Sequence, residues 1–294
     1  MKNLPLKISN SLFKILIEIF IFDKNKRARI KSRWAKFHLN KYVNKAIKNY
    51  KPQEKQENQN IIWQYWHQGE ENAPELVKKC LESVKKYESD RKIVVLSYDT
   101  IKDYIDLPKI YHDLLEQGKM KIAHFSDIVR VYLLTTYGGC WIDSTLYLSD
   151  KIPEDITNSD FCVLQKDPRL DNQENIMSCF FIQAKNNSIN LNLIKNSLEN
   201  YWSGNNFVIN YFMFEHISTL LKEKSEELAS EWRKMPFYSA EDSGKLQEIM
   251  FEDFDEVKWN KIISKTCIHK LSYKNINDKE ISKKSYYNKI LEDM

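Results

Sequence analysis

The chain is poor in the residues that break regular structure: 294 residues include only six glycines and seven prolines. That scarcity excludes collagen-like and linker-dominated architectures and favours regular helices and strands. Cysteine is scarce as well. The five, Cys80, Cys140, Cys162, Cys179 and Cys267, are odd in number, widely spaced and form no C-x-x-C pair. Neither a disulfide framework nor a cysteine zinc site is expected, and a reducing compartment suits them. Their neighbours, as in GGCWI and MSCFFI, mark most of them as buried small hydrophobes. No apolar run approaches the ~20 residues that span a bilayer. The nearest, SLFKILIEIFIF from Ser11 to Phe22, is interrupted by Lys14 and Glu18 and is followed by no small-residue cleavage site, so it is not read as a signal peptide. No repeat of fixed period is present.

What remains is a hydrophobic fraction of 42% with 13% aromatic residues, ample for a sizeable core. The net charge is only +4, but it is unevenly spread. Residues 1–60 carry 15 Lys and Arg against four acids, a local excess of +11 that leaves the rest of the chain acidic. Within this arm Ser11, Lys14 and Glu18 fall at helical spacing and make a narrow polar stripe on an apolar cylinder. The following stretch sets Ile30, Trp34, Phe37 and Tyr42 among many positive charges, the composition of an interfacial helix with aromatic anchors. Residues 1–50 are therefore expected to hold the protein against an anionic cytoplasmic leaflet. The competing expectation is that Leu12 to Phe22 pack on the body of the chain or on a second copy. The arm has no nucleic-acid-binding module, so no nucleic-acid partner is expected. KPQEKQENQN, Lys51 to Asn60, is polar and aperiodic and reads as a linker, dividing the chain into a basic helical extension over 1–59 and a body over 60–294.

In the body, short apolar runs alternate with amphipathic stretches. IIWQYW, KIVVLSY, CWIDS, FCVLQ and SCFFIQA read as strands; PELVKKCLESVKKY, TIKDYI, PKIYHDLLEQG and KIAHFSDIVRVYLLTTYGG read as helices. This order implies an α/β fold with a mostly parallel central sheet, and ligands of such sheets bind outside the carboxyl ends of the strands. On the long helix, Asp127 and Arg130 share a face with Ala123, and an acid at i with an arginine at i+3 is by itself an ordinary surface pair. The sequel distinguishes it: the helix stops at Gly138-Gly139, an aromatic strand follows, and Asp143 stands where that strand meets solvent.

The order A-x-x-S-D-x-x-R, then Y-G-G-x-x-x-D, resembles the donor-site signature of glycosyltransferases with the GT-A fold and a DXD-type sugar-binding region. YGGCWIDSTLYL, the opening IIWQYWHQG and the late IHKLSYK resemble the bacterial capsular polysaccharide synthesis proteins, from about Asn60 to Lys274. The resemblance implies a GT-A-like nucleotide-sugar-binding body and a hexosyl-type transferase, often a retaining one in similar enzymes. Donor-site roles are implied for Trp63 and Gln64 at the nucleotide base, Asp127 at the sugar hydroxyls, and Arg130 at the sugar or diphosphate. Asp143, like the first DXD acid, is implied at the ribose and the metal-bound diphosphate. Asp127 and Asp143 are the residues on which transfer would depend. A carboxylate that accepts two hydroxyls orients a sugar, and an arginine fork suits a diphosphate.

The third DXD position is Thr145, not an acid. A divalent cation, manganese or magnesium, is implied by the family, yet here it would rest on Asp143 and His269 with few charged oxygen ligands. The alternative is a metal-independent site in which Lys270, Lys274 or Arg130 supplies the positive charge. The implied acceptor is a lipid-linked glycan at the inner face of the membrane. The rival reading is a degenerate, non-catalytic transferase body in a membrane assembly. Among other residues, His67 ends an aromatic strand, His124 reads as packing beside the site helix off the Asp127 face, and His38, His112 and His216 have no functional context. NNFVINYFMFEHISTLL reads as a buried helix that carries Asn210 and Glu215 as minor candidates. Glu241 and Asp242 are adjacent acids in a loop. Oligomeric state has no signature in the sequence.

Overall fold

Two polar stretches frame the sheet-forming part of the chain, and the apolar, β-branched and aromatic run IIWQY starts it. The computed structural model describes residues 5–52, 60–167, 175–224, 226–274, 276 and 281–292. Most of the expected linker, residues 53–59, lies outside them. The helices are α1 (Leu6–Phe20), α2 (Lys24–Lys48), α3 (Glu75–Tyr87), α4 (Lys109–Glu116), α5 (Ile122–Tyr137), α6 (Glu154–Thr157) and α7 (Ile189–Trp202). They continue with α8 (Met213–Lys222), α9 (Glu226–Lys234), α10 (Ala240–Ser243), α11 (Lys245–Ile249), α12 (Glu256–Ile263) and α13 (Tyr286–Glu292). The strands are β1 (Ile61–Tyr65), β2 (Lys92–Leu96), β3 (Gly139–Ile142), β4 (Leu146–Leu148), β5 (Phe161–Gln165), β6 (Met177–Ala184) and β7 (Ile268–Lys270).

A five-stranded sheet has the order β2-β1-β3-β6-β5. β1 pairs in parallel with β2 and with β3, whereas β6 is antiparallel to both β3 and β5. Four strands thus share a direction and only β6 opposes them, so the sheet is mostly parallel, as expected, with one reversed strand. Every residue of β1 is buried, as a central parallel strand requires. Helix α5 packs on β1 and β3, α8 on β6, and α7 lies between α5 and α8. Nearly the whole circumference of α5 is covered, which is why its sequence is apolar on most sides rather than along one stripe. A separate two-stranded ribbon pairs β4 with β7, fixing Leu146 opposite Lys270.

The link from α5 to β3 depends on two glycines. Gly138 caps the helix at φ 69° and Gly139 enters β3 at φ 99°, both in the left-handed region. A Cβ on Gly139 would lie 2.4 Å from the Ile61 carbonyl oxygen, so β3 reaches its place beside β1 only with glycine there.

The basic arm divides into two helices of different character. α2 is capped by Asp23, which accepts from the Lys26 amide at 2.8 Å, and it packs against α7 and α8. Its residues Ala35, Leu39, Val43 and Ala46 are fully covered and join the same core as the sheet, so the arm and body that composition separates share one interior. α1 is inverted: it buries Ser9 and Asn10 and leaves Ile8, Leu12, Ile15, Leu16, Ile19 and Phe20 exposed, with Phe22 just beyond it 90% exposed. Asn10 explains the orientation, because its amide donates to the Ile209 carbonyl and accepts from the Trp34 indole at 3.2 Å. Phe13 stacks on Trp34 and Glu18 pairs with Arg27 and Lys31, so α1 is tied to α2 by its polar side. Among the described residues no helix is long and apolar enough to cross a membrane.

Truncating Leu39, a fully covered α2 residue, tests the shared core. Leu39→Ala should lower the stability of the whole chain by about 2–5 kcal/mol, with urea denaturation followed by circular dichroism keeping a single transition. A second, separate transition for the arm would contradict a common interior.

Candidate active site

Three elements converge on one carboxylate. Asp143 directly follows β3, at the carboxyl end of a strand parallel to its neighbour β1. Its Oδ1 accepts from Arg130 Nη2 at 2.9 Å and from the Trp141 indole at 2.8 Å. Its Oδ2 accepts from Lys270 Nζ at 2.7 Å, and the same ammonium donates to Thr145 Oγ1 at 2.6 Å. The other arm of the Arg130 fork, Nη1, donates to Asp127 Oδ1 at 2.7 Å. Helical spacing of three residues sets the Asp127–Arg130 pair; the Gly138-Gly139 turn brings Asp143 back to it; the β4–β7 register delivers Lys270.

The guanidinium of Arg130 is sandwiched by aromatic faces, 4.8 Å from the Trp141 ring and 5.5 Å from that of Phe214. Burial closes one end of the chain of charges and leaves the other open. Side-chain exposure rises from 3% at Arg130 and 12% at Asp127 to 23% at Asp143 and 30% at Lys270. A ligand would therefore meet Asp143 and Lys270 first. His124 Nδ1 lies 3.5 Å from Asp127 Oδ2 without a hydrogen-bond partner, so this ring sits beside Asp127 rather than off its face.

Electrostatics keep the cluster ionised despite its burial. Burial alone would raise the Asp143 carboxyl, but Lys270 and Arg130, with hydrogen bonds from Lys270 and Trp141, outweigh it and hold the group below the ordinary range. Burial likewise opposes the charge on Arg130, and the Cys179 sulfur with the carboxyls of Asp143, Asp127 and Glu215 reverses the balance and raises its pKa. Glu215, in the first turn of α8, goes the other way. Burial, then the negative charge of Asp127, push its carboxyl up to about 7, against a hydrogen bond with Cys179 and the charge of Arg130. The minor candidate Glu215 is thus a neighbour of the cluster that titrates near neutrality.

Not every residue singled out from the sequence arrives here. Trp63 is fully buried, donates its indole N–H to the Gly138 carbonyl at 3.0 Å and packs against Tyr104 and Tyr137. Strand alternation turns it into the core instead of presenting a wall to a nucleotide base. Gln64 points to the other face of β1 and is also fully buried, with neither amide atom bonded within the protein. His269 neighbours Lys270 but faces the opposite side of its strand. It is fully buried, hydrogen-bonds Ser149 through Nε2 at 2.9 Å, and burial lowers its pKa to about 4. Among the described residues no three His, Cys, Asp or Glu side chains are grouped to hold a metal ion. His67 bonds the Tyr65 hydroxyl at 2.7 Å, and His112 that of Tyr98 at 2.9 Å. Glu241 and Asp242 belong to the short helix α10, not a loop, and Glu241 accepts from the Asp167 amide.

The long buried helix expected over 205–221 begins only at Met213. Asn210 accepts from the Phe212 amide at 2.9 Å, a local bond that competes with helix, and Tyr211 and Phe212 are left exposed. The Tyr211 ring stands 5.8 Å from His124, an exposed aromatic face beside the charged cluster. Its only sequence signal was the asparagine before it. A cavity of about 410 Å³ opens elsewhere, lined by Pro5, Leu6, Ile110, Leu114, Trp202 and Phe207, and includes none of the charged cluster.

The profile of a family described as "Capsular polysaccharide synthesis protein" matches residues 16–290. Shorter stretches are similar to the O-glycosyltransferase braB of Annulohypoxylon truncatum, 30% identical over 96 residues, and the O-glycosyltransferase PaGT of Phomopsis amygdali, 29% identical over 102 residues. These stretches cover 30% and 32% of this chain, and the chain spans only 23% and 24% of those relatives' length. The solved structure of the PaToxG glycosyltransferase aligns with 79% of this chain and 93% of its own, at 15% identity and a TM-score of 0.39.

The raised Glu215 carboxyl fixes a pH signature. Its folded-state pKa of about 7 lies above the ordinary 4.5, so the contribution is full below pH 4.5 and is lost as pH rises through 7. Glu215→Gln should therefore gain on the wild type between these values, by roughly 3 kcal/mol at pH 8, and lose that advantage at pH 4. Paired thermal melts at pH 4, 6 and 8 measure it; a gap independent of pH would mean that folding leaves the Glu215 carboxyl at its ordinary pKa.

Proposed function

The chain belongs to the capsular polysaccharide synthesis protein family, and on that premise we propose that it is a glycosyltransferase of the GT-A kind. It moves a sugar from a nucleotide-sugar donor to a lipid-linked glycan destined for the cell surface. The observation that carries this reading is the chain of charges Asp127–Arg130–Asp143–Lys270 at the carboxyl end of β3, open on its Asp143 and Lys270 side. Asp127 and Asp143 offer carboxylate oxygens to sugar or ribose hydroxyls, and Arg130 sets the position of both carboxylates. Tyr211 provides an aromatic face against which the apolar side of a sugar ring or a base can lie. A hexosyl donor and retention of configuration are the version of the reading that the family resemblance favours.

The acceptor part of the proposal rests on α1. A helix that buries Ser9 and Asn10 and exposes Leu12, Ile15, Leu16 and Ile19 is built to meet an apolar phase, and the surplus of Lys and Arg in the arm selects an anionic one. Held this way at the inner face of a membrane, the transferase would work where lipid-linked glycans are exposed. The non-catalytic alternative draws on Thr145, which stands where a second acid is expected; donor turnover decides between them.

Asp127→Ala and Asp143→Ala should each reduce transfer from the accepted nucleotide sugar by about 100-fold or more while keeping the circular dichroism spectrum. Undiminished transfer in both would remove this site. In vesicle flotation, the wild type should rise with anionic vesicles and not with neutral ones, and Leu16→Glu combined with Ile19→Glu should abolish the rise; equal behaviour of both proteins would remove the membrane role of α1.

A further inference from the structure

A divalent ion at this site would need oxygen ligands that the chain does not supply. Magnesium takes six ligands in near-octahedral geometry, and the protein oxygens at this point are Asp143 Oδ2 and the neutral hydroxyl of Thr145. Asp143 Oδ1 is already engaged by Arg130 and Trp141. His269, the other expected ligand, is buried on the far side of its strand and bonded to Ser149. The position between residues 143 and 145, where the family pattern puts a metal, is taken by the Lys270 ammonium, which donates to both. This lysine is no mobile surface chain. The ribbon register holds it, the Leu271 amide donates to the Thr145 carbonyl at 2.9 Å, and its ammonium lies 5.2 Å from the Phe180 ring. Inserting a dication there would also set it against the charges of both Lys270 and Arg130.

We propose that Lys270 is the built-in cation of this site, doing for the donor diphosphate what a divalent metal does in transferases with two acids, and that the protein acts without metal. The inference rests on the transferase reading. An ammonium has three N–H donors; Asp143 and Thr145 take two, and the third, on the exposed side, is left for a diphosphate oxygen. In transfer, the bond from the anomeric carbon to the diphosphate oxygen breaks and its electron pair stays on that oxygen. The acceptor hydroxyl oxygen bonds the anomeric carbon, and its proton passes to the departing diphosphate. The charge that develops on the leaving oxygens lies beside Lys270, whose ammonium stabilises it without the reorganisation that water would need. Asp143, besides facing the donor hydroxyls, anchors Lys270 through Oδ2, and Thr145 as a hydroxyl satisfies the lysine where a second carboxylate would recruit a metal.

The test titrates Mn²⁺ into the full chain, alone and with uridine or guanosine diphosphate, and follows free Mn²⁺ by electron paramagnetic resonance. The wild type should bind no more Mn²⁺ than the nucleotide alone accounts for. Lys270→Asp, which places a second carboxylate beside Asp143, should gain a site at least about tenfold tighter than any in the wild type. Lys270→Met should weaken stabilisation of the protein by the nucleoside diphosphate by about tenfold in apparent affinity. One equivalent of Mn²⁺ bound by the wild type, or turnover abolished by chelator and restored by manganese, overturns the inference and leaves the transferase reading standing. Conversely, lack of turnover with every nucleotide sugar, alongside the expected Mn²⁺ behaviour of wild type and Lys270→Asp, sinks the transferase reading and supports the ammonium as occupant of the cation position.

Discussion

The double ion pair of Asp143 is the constraint around which the rest of the molecule is arranged. One carboxylate joins the end of β3, the middle of the preceding helix α5 and the end of β7, which lies more than a hundred residues further on. Taking these charges out of water is unfavourable unless each is paired, and breaking one pair in such a setting typically costs about 3–5 kcal/mol. On the inner side Arg130 is ion-paired with both Asp127 and Asp143, whereas on the outer side Lys270 keeps solvent. The aromatic faces of Trp141 and Phe214 exclude water from the guanidinium and so strengthen its bonds. A fold that secures one end of a charge chain and leaves the other unsaturated is prepared for an ionic ligand.

Much of this arrangement was legible in the sequence, for identifiable reasons. The strands announced themselves as short apolar runs, and Gly138-Gly139 marked the turn because backbone at φ 69° and 99° accommodates little else. Helical spacing put Asp127 and Arg130 on one face and strand length put Asp143 at a strand end, while their roles at a donor site came from the family resemblance. What was not legible depends on pairing between distant segments. The reversal of β6, the one strand that opposes an otherwise parallel sheet, is set by its antiparallel pairing with β5 and β3. Position in the sheet placed Trp63 and His269: β1 is covered on both faces, and His269 points to the buried side of its strand, one position from Lys270. Lys270 was one of three lysine or arginine residues offered for the missing charge, and only the β4–β7 register distinguishes it from Lys274. The exposed Tyr211 was hidden inside an apolar run, where a single asparagine side chain outweighs helical propensity.

The arm shows the same limit from another side. Its polar stripe of Ser11, Lys14 and Glu18 is present, but the residues that dock the helix are Ser9 and Asn10, and the partners of Asn10 lie at Trp34 and Ile209. Amphipathicity read from α1 alone would assign its apolar side to the protein. The hydrogen bonds of one buried amide, worth more in a dry setting than in water, turn that side outward.

Helix α2 has a mechanical consequence. Because Leu39 and Val43 lie in the same interior as α7 and α8, and α7 leans on α5, there is no joint between the arm's second helix and the helix that bears Asp127 and Arg130. Among the described residues of the arm, a break in helix lies at residues 21–23, between α1 and α2. Any surface on which α1 comes to rest therefore meets the charged cluster at a set height and tilt, as a lens is held by its mount. In the proposed reading, the height of Asp127 and Arg130 above a surface that α1 rests on is then a dimension of the fold itself, and a bound glycan would be met at that one distance from the plane.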